Sequence, residues 1–370
     1  MQTRHRVKSG TGRQTASERY AAYYLDAARR RQGDWVWFDL EWPQIRCAWT
    51  RLSELGSRHD LAVDYALVCD PFLDRKGLWS EAVAWATRAL RAATDFGGPS
   101  SVAPLQRMLG SFYAKLGQMR LAAEAHEEAI KSYREAGDRL REGGALSNLG
   151  TVYHRQGELS RARDLYEQSL ALARESGDLR GEGVALSNLG RVCADEGDLR
   201  GAIEFYEQAL PIKRRLGDSR GEGTTLNNLG LAYSALGEVA RAVELHQRTI
   251  QLYRELGERH QEANALGNLG IAAYRLGQFR KAIGCYEEQL AIVREIGDRL
   301  GEGNALNNLG LAHAELGELD AAIGYYINRL EIAEQINDRR GRAVTLNNLG
   351  DVYRNLGDAE RAAEIHQQVL

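Results

Sequence analysis

The sequence predicts an all-α solenoid of stacked helical hairpins, on three observations. Asn-Leu-Gly occurs at Asn148-Leu149-Gly150 and again at 188–190, 228–230, 268–270, 308–310 and 348–350, always 40 residues apart, and Met108-Leu109-Gly110 holds the same register one unit earlier. Within each unit, apolar residues follow two successive helical periods. The 370 residues include only 5 prolines, and the 39 glycines sit largely at repeating positions.

The fourth unit illustrates both helices. Leu226, Leu229, Ala232, Tyr233 and Leu236 share one face, and Gly237 ends that helix as a residue that accepts positive φ. A second helix runs from Val239 through Val243, His246 and Ile250 to Tyr253 and stops at Gly257. The residue after this stop is acidic in every unit (Asp138, Asp178, Asp218, Glu258, Asp298, Asp338), suited to cap the next helix or oppose its dipole. Other columns keep the step: Gly117 to Gly357, Ala122 to Ala362, and Ile130, Leu170, Leu210, Ile250, Leu290, Leu330 and Leu370. Gly150 and its equivalents fall mid-helix, where glycine costs about 1 kcal/mol against alanine, so a second helix is expected to pack there at close range. Pro211, inside a second helix, should kink it or force a local adjustment.

These residues carry a resemblance. Leu149-Gly150-x-x-Tyr153, then Gly157, Ala162, Tyr166 and Leu170, resemble the tetratricopeptide pattern. The usual unit has 34 residues and often a proline late in its second helix; here the unit is 40, and Arg134, Arg174, Arg214, Arg254 and Arg294 stand at that place. This form is similar to arrays of the Pins/LGN polarity-adaptor and kinesin-light-chain type. The resemblance implies a right-handed superhelix with the first helix of each unit on the concave wall. The register also runs backwards through Gly77, Ala82, Leu90 and Gly97, so 58–96 reads as a degenerate unit. All six tryptophans (Trp35, Trp37, Trp42, Trp49, Trp79, Trp85) precede residue 86. With Glu18–Arg29 and Trp42–Trp49, this part resembles the helical segment before tetratricopeptide arrays in bacterial STAND-type regulators. The expected organisation is a flexible polar N-terminus (1–17), a tryptophan-rich helical region (18–96) and seven 40-residue units (97–370), the last incomplete, with a loop at 97–101.

Several function classes lack support. The net charge is −3, from 48 basic and 51 acidic residues that interleave, so neither a nucleic-acid groove nor a membrane surface is expected. No apolar run approaches the roughly 18 residues of a membrane span. The four cysteines (Cys47, Cys69, Cys193, Cys285) are widely spaced, which fits free thiols in a reducing cytoplasm. There is no phosphate-binding GxxxxGK[ST] loop, and the GxG strings at 181–183, 221–223 and 301–303 read as helix starts. His126, His246 and His366 share a column with Tyr166, Tyr206, Tyr286 and Tyr326, which makes them packing residues rather than ligands or bases. No cofactor, metal or catalytic residue is expected.

Function is therefore sought on an extended surface. The column Asn148, Asn188, Asn228, Asn268, Asn308 and Asn348 offers a donor and an acceptor on each amide, matching the backbone of an extended peptide; the resemblance implies the same role. The alternative is that each amide bonds the neighbouring unit and holds the superhelix. Flanking groove candidates are Asn227, Asn307, Arg155, Arg191, Leu231, Ile271, Leu311 and Arg275, a wall that is polar, then apolar, then polar. The expected function is a non-catalytic peptide- or protein-binding module, a sensor or adaptor of a bacterial signalling system. The second reading is a self-assembly scaffold stacking through solenoid ends, since the last unit stops within its second helix.

Overall fold

The computed structural model describes residues 15–55, 59–96 and 99–368. Most of the stretch expected to be flexible, together with Gly97, Gly98 and Leu370, lies outside them. Eighteen helices and no strand occur among the described residues, and they group into two compact units that divide at Gly181/Glu182.

The first unit holds α1 (Ala16–Arg30), α2 (Trp35–Leu55), α3 (His59–Arg75), α4 (Trp79–Phe96), α5 (Pro99–Lys115), α6 (Met119–Glu135), α7 (Arg139–Arg155) and α8 (Leu159–Ser176). Helix α1 opens on a capping box: Glu18 N donates to Thr15 Oγ1 at 3.1 Å, and Thr15 N donates to Glu18 Oε2 at 2.7 Å. The tryptophans build the core here. Trp85 stacks on Trp49 and Trp42, with ring centroids 4.5 and 5.5 Å apart, and Phe38 stacks on Phe72. Buried Tyr65 donates its hydroxyl to Ala21 O at 2.7 Å. Because α5 begins at Pro99, residues 99–101 are helical rather than loop; proline is tolerated there because a first helical residue has no intrahelical N–H partner to lose.

The second unit holds α10 (Leu199–Arg215), α11 (Ser219–Ala235), α12 (Val239–Leu256), α13 (Arg259–Arg275), α14 (Phe279–Glu295), α15 (Arg299–Glu315), α16 (Leu319–Gln335), α17 (Arg339–Asn355) and α18 (Ala359–Gln367), together with α9 (Leu179–Asp195) from its second turn on. Helix α10 runs on through Pro211, so the proline is absorbed without ending the helix. Leu266, Leu269, Leu306, Leu309, Tyr286 and Leu290 form the largest core of this unit.

The hairpin grammar is the same in both units. The stop position is left-handed throughout, with φ from 64° to 86° at the described glycines of both stop columns, and Asn337 (φ 55°) replaces glycine once. The mid-helix glycines meet rings. A Cβ on Gly150 would stand 2.7 Å from Tyr166, and one on Gly230 2.7 Å from His246. The close approach expected from the repeated glycine is thus between a first helix and the aromatic column of its own second helix. His126 and His246 are 1% exposed in these contacts.

The acidic column works unevenly. Asp138, Asp218, Asp298 and Asp338 accept from the backbone N–H three residues on. Glu258 makes no such bond, its longer side chain pairing with Arg220 instead. The arginines at the proline's place have a partner the sequence does not announce. Arg134, Arg214, Arg254 and Arg294 each donate Nε to the carboxylate eight residues on, Glu142, Glu222, Glu262 and Glu302, at 2.5 to 2.8 Å. These pairs join a second helix to the next first helix.

Candidate peptide-binding groove

First helices of neighbouring repeats are offset by one residue, so contacts recur at a separation of 41 rather than 40. Asn268 Nδ2 donates to Asn227 Oδ1 at 2.9 Å and Asn348 Nδ2 to Asn307 Oδ1 at 3.1 Å. Arg275 Nη1 donates to Ser234 O at 3.0 Å and to its Oγ at 3.1 Å; Arg155 Nη1 donates to Ala114 O at 3.1 Å. Part of the asparagine column and both of these arginines therefore tie one repeat to the one before. Asn188 accepts from Arg191 at 3.2 Å, and Asn228 bonds the Tyr206 hydroxyl, whose pKa burial pushes up to about 12. The structural and the ligand-facing uses of the amides are compatible, because each of the two inter-repeat bonds uses one of an amide's two N–H groups.

In the second unit α11, α13, α15 and α17 bound an open groove of about 720 Å³. Asn227, Asn268, Asn307, Asn308 and Ile271 line it, which brings together five of the sequence-selected residues. Asn264 and Asn304, one turn earlier on the same faces, join them and are exposed. Leu231 and Ile271 are exposed at 44% and 40%, and Leu311 is half-buried, so the middle of this wall presents apolar surface. Asn148 lies elsewhere, lining a hollow of about 600 Å³ in the first unit with Arg107, Tyr133 and Arg141.

The groove also contains residues the sequence reading passed over. Gln289, Arg329, Asp338 and Arg340 line it. Arg329 pairs with Asp338, whose carboxyl is held below its usual range by the Gly341 N–H and by that guanidinium. Gln289 and Arg329 were missed because they sit on second helices, which the pattern assigns to the far side. The available signal was a drift in one column: Ala129, Ser169, Ala209, Thr249, then Gln289 and Arg329. Among the described residues no group of three His, Cys, Asp or Glu side chains could hold a metal ion, and no helix is long and apolar enough to cross a membrane.

The tetratricopeptide repeat model matches residues 141–215, 221–295 and 301–370, more than half of the chain. The protein belongs to the tetratricopeptide repeat family. A search of curated proteins finds no match. Among solved structures, the apo form of the quorum sensor NprR from B. thuringiensis superposes with a TM-score of 0.65 at 13% identity, over 94% of this chain and 98% of that one. The Rap protein complexed with Competence and Sporulation Factor gives 0.55 at 15% identity, over 94% and 99%. The STAND protein with a tetratricopeptide repeat sensor from Pyrococcus horikoshii gives 0.60 at 18% identity, over 83% of this chain and 52% of that one, so the chain spans about half its length. At these identities the likeness establishes the tetratricopeptide solenoid fold.

Proposed function

We propose that this tetratricopeptide protein is a non-catalytic module that binds an extended peptide or protein segment along the groove of its second unit, as a sensor or adaptor in a bacterial signalling system. One observation carries the reading: amides from successive first helices line an open groove of about 720 Å³, beside an exposed apolar stretch at Leu231 and Ile271. An extended peptide leaves half of its backbone donors and acceptors unpaired along each edge, and a row of asparagines can satisfy both kinds. The apolar stretch supplies the desolvation that hydrogen bonds alone do not. Fold relatives described as a quorum sensor, a factor-bound Rap protein and a repeat sensor of a STAND protein support the same assignment.

The test is retention of a fluorescein-labelled decapeptide library by the full chain. Replacing Asn268 and Asn308 with alanine should lower retention about tenfold, since each amide bond contributes about 0.5–1.5 kcal/mol. Helical circular dichroism should persist. Equal retention by wild type and variant would remove the amides from binding.

A further inference from the structure

The bonds that tie an asparagine to the repeat before it skip one seam. Asn268 reaches Asn227 and Asn348 reaches Asn307, each 41 residues back. The residue 41 back from Asn308 is Gly267, which has no side chain to offer. The other members of the column in the second unit are engaged: Asn188 with Arg191, Asn228 with the Tyr206 hydroxyl, Asn268 and Asn348 with the asparagines just named. Among the described residues of that column in this unit, only the Asn308 amide has no hydrogen-bond partner in the protein. Asn308 is half-buried and lines the groove.

Gln289, from α14, takes the space that a side chain at 267 would fill. A Cβ on Gly267 would stand 2.7 Å from Gln289 Nε2. Where the column keeps its asparagine, at Asn227, the residue in the place of Gln289 is Thr249, which stays on its own helix by donating Oγ1 to Leu245 O at 2.9 Å. Gln289 therefore restores the volume lost at Gly267 without restoring the tie to Asn308.

The wall around the untied amide is uncharged. Gly267, Asn268 and Ile271 of α13, Gln289 of α14, and Asn304 and Asn308 of α15 line this stretch. The ionisable lining residues belong to the next seam, where Arg329 lies against Gly303 and Gly341 and pairs with Asp338. A free amide presents a donor and an acceptor side by side, so another carboxamide can meet it with two bonds. A carboxylate has no proton for Asn308 Oδ1, and an ammonium has no acceptor for Nδ2. Each charged group would make one bond and shed water against a neutral wall. Ile271, one turn on from Asn268 and 40% exposed, offers apolar surface to the methylenes of an incoming side chain.

We propose that Asn308 is a specificity-determining residue, the centre of a niche that reads the carboxamide of a Gln or Asn side chain in the bound segment. This inference rests on the peptide-binding reading and adds the residue type selected. The tied asparagines are held in place by the array, whereas Asn308 can turn to a ligand without breaking a bond inside the protein.

The experiment uses the full chain and matched fluorescein-labelled decapeptide libraries. They differ only in carrying Gln and Asn, the apolar isosteres Met and Leu, the acids Glu and Asp, or Lys at the same positions. Wild type should retain the Gln/Asn library about tenfold better than each of the others, the worth of two amide hydrogen bonds. Asn308→Asp removes the donor and adds a charge, so the preference should move to the Lys library. Gly267→Asn with Gln289→Thr copies the pair at Asn227 and Thr249 and gives Asn308 a partner 41 residues back. The preference should then vanish while helical circular dichroism persists; if that variant loses its helicity, Asn308→Asp carries the test. Equal retention of the Gln/Asn and Met/Leu libraries by wild type overturns the niche and leaves the groove standing. So does a Gln/Asn preference that survives in either folded variant. Retention of no library by wild type overturns the groove reading and the niche with it.

Discussion

Arg254 and Glu262 close the seam between two repeats: the guanidinium Nε donates to Oε1 at 2.8 Å, while Arg259 holds Oε2 at 2.8 Å from the other side. The carboxylate is 1% exposed, and both arginines remain partly in water. The three groups are therefore unequal in what their loss costs. Removing Glu262 leaves two hydrated cations; removing the arginines strands a buried anion. We expect Glu262→Ala to cost about 1–2 kcal/mol, and the double change Arg254→Ala with Arg259→Ala about 3–5 kcal/mol. Urea denaturation of both variants checks the order; the reverse order would show that the seam is held by packing alone.

The histidine column makes stability depend on acid. Burial lowers the pKa of His126 and His246 to about 4, with Arg107 adding to the effect at His126, against an ordinary value of 6.5. Between those values the unfolded chain binds more protons than the folded one, so stability rises with pH. The contribution is fully present above pH 6.5 and drains as pH falls towards 4, by up to about 3 kcal/mol for each ring. His126→Tyr with His246→Tyr, the residue other repeats carry, should flatten the slope of urea midpoint against pH between 4 and 6.5. An unchanged slope would assign it to carboxylates instead.

Glycine to alanine should have opposite signs at two kinds of helical site. Gly230 faces the His246 ring, whereas a Cβ on Gly284, inside α14, meets nothing within 4 Å. Gly284→Ala should stabilise by about 0.5–1 kcal/mol through helix propensity, and Gly230→Ala should destabilise by about 1–3 kcal/mol through overpacking. Thermal melting of the two variants decides; a gain at both would mean that the imidazole shifts aside at no cost.

The caps give a graded series. Asp298 accepts from Gly301 N at 2.9 Å, and Glu258, at the same register position, makes no cap bond. Asp298→Ala is expected to cost about 1 kcal/mol, and Glu258→Asp to add a comparable amount by accepting from the Gln261 N–H, three residues on, as the aspartates of the column do. Hydrogen exchange in the first turns of α15 and α13 measures each locally; equal protection in wild type and Asp298→Ala would exclude the cap as a source of stability.

Much of the fold was legible because a strict period exposes every role by repetition. The left-handed stops, the glycine–ring contact at Gly150 and Tyr166 and the aspartate caps are local events that recur at fixed positions. The groove was legible in part. Asn268, Asn307 and Asn308 could be placed on it from register, but the one-residue offset between neighbouring first helices could not. That offset turns Arg155 and Arg275 back onto the preceding repeat. Arg329 was illegible for a different reason: a helical period assigns a side chain to a face, and this one is long enough to leave its face through gaps at Gly303 and Gly341.

The seams have a further consequence. Because Arg254 meets a glutamate eight residues on, as Arg214 and Arg294 do, excising one whole hairpin between them would bring an equivalent pair together at the new junction. The final junction breaks this interchangeability, for Glu334 and Arg342 carry the two charges in exchanged places. Excision of 299–338 would bring Arg294 against Arg342. Charge alone thus makes the junctions at Arg214, Arg254 and Arg294 interchangeable, and sets the junction at Glu334 and Arg342 apart from them.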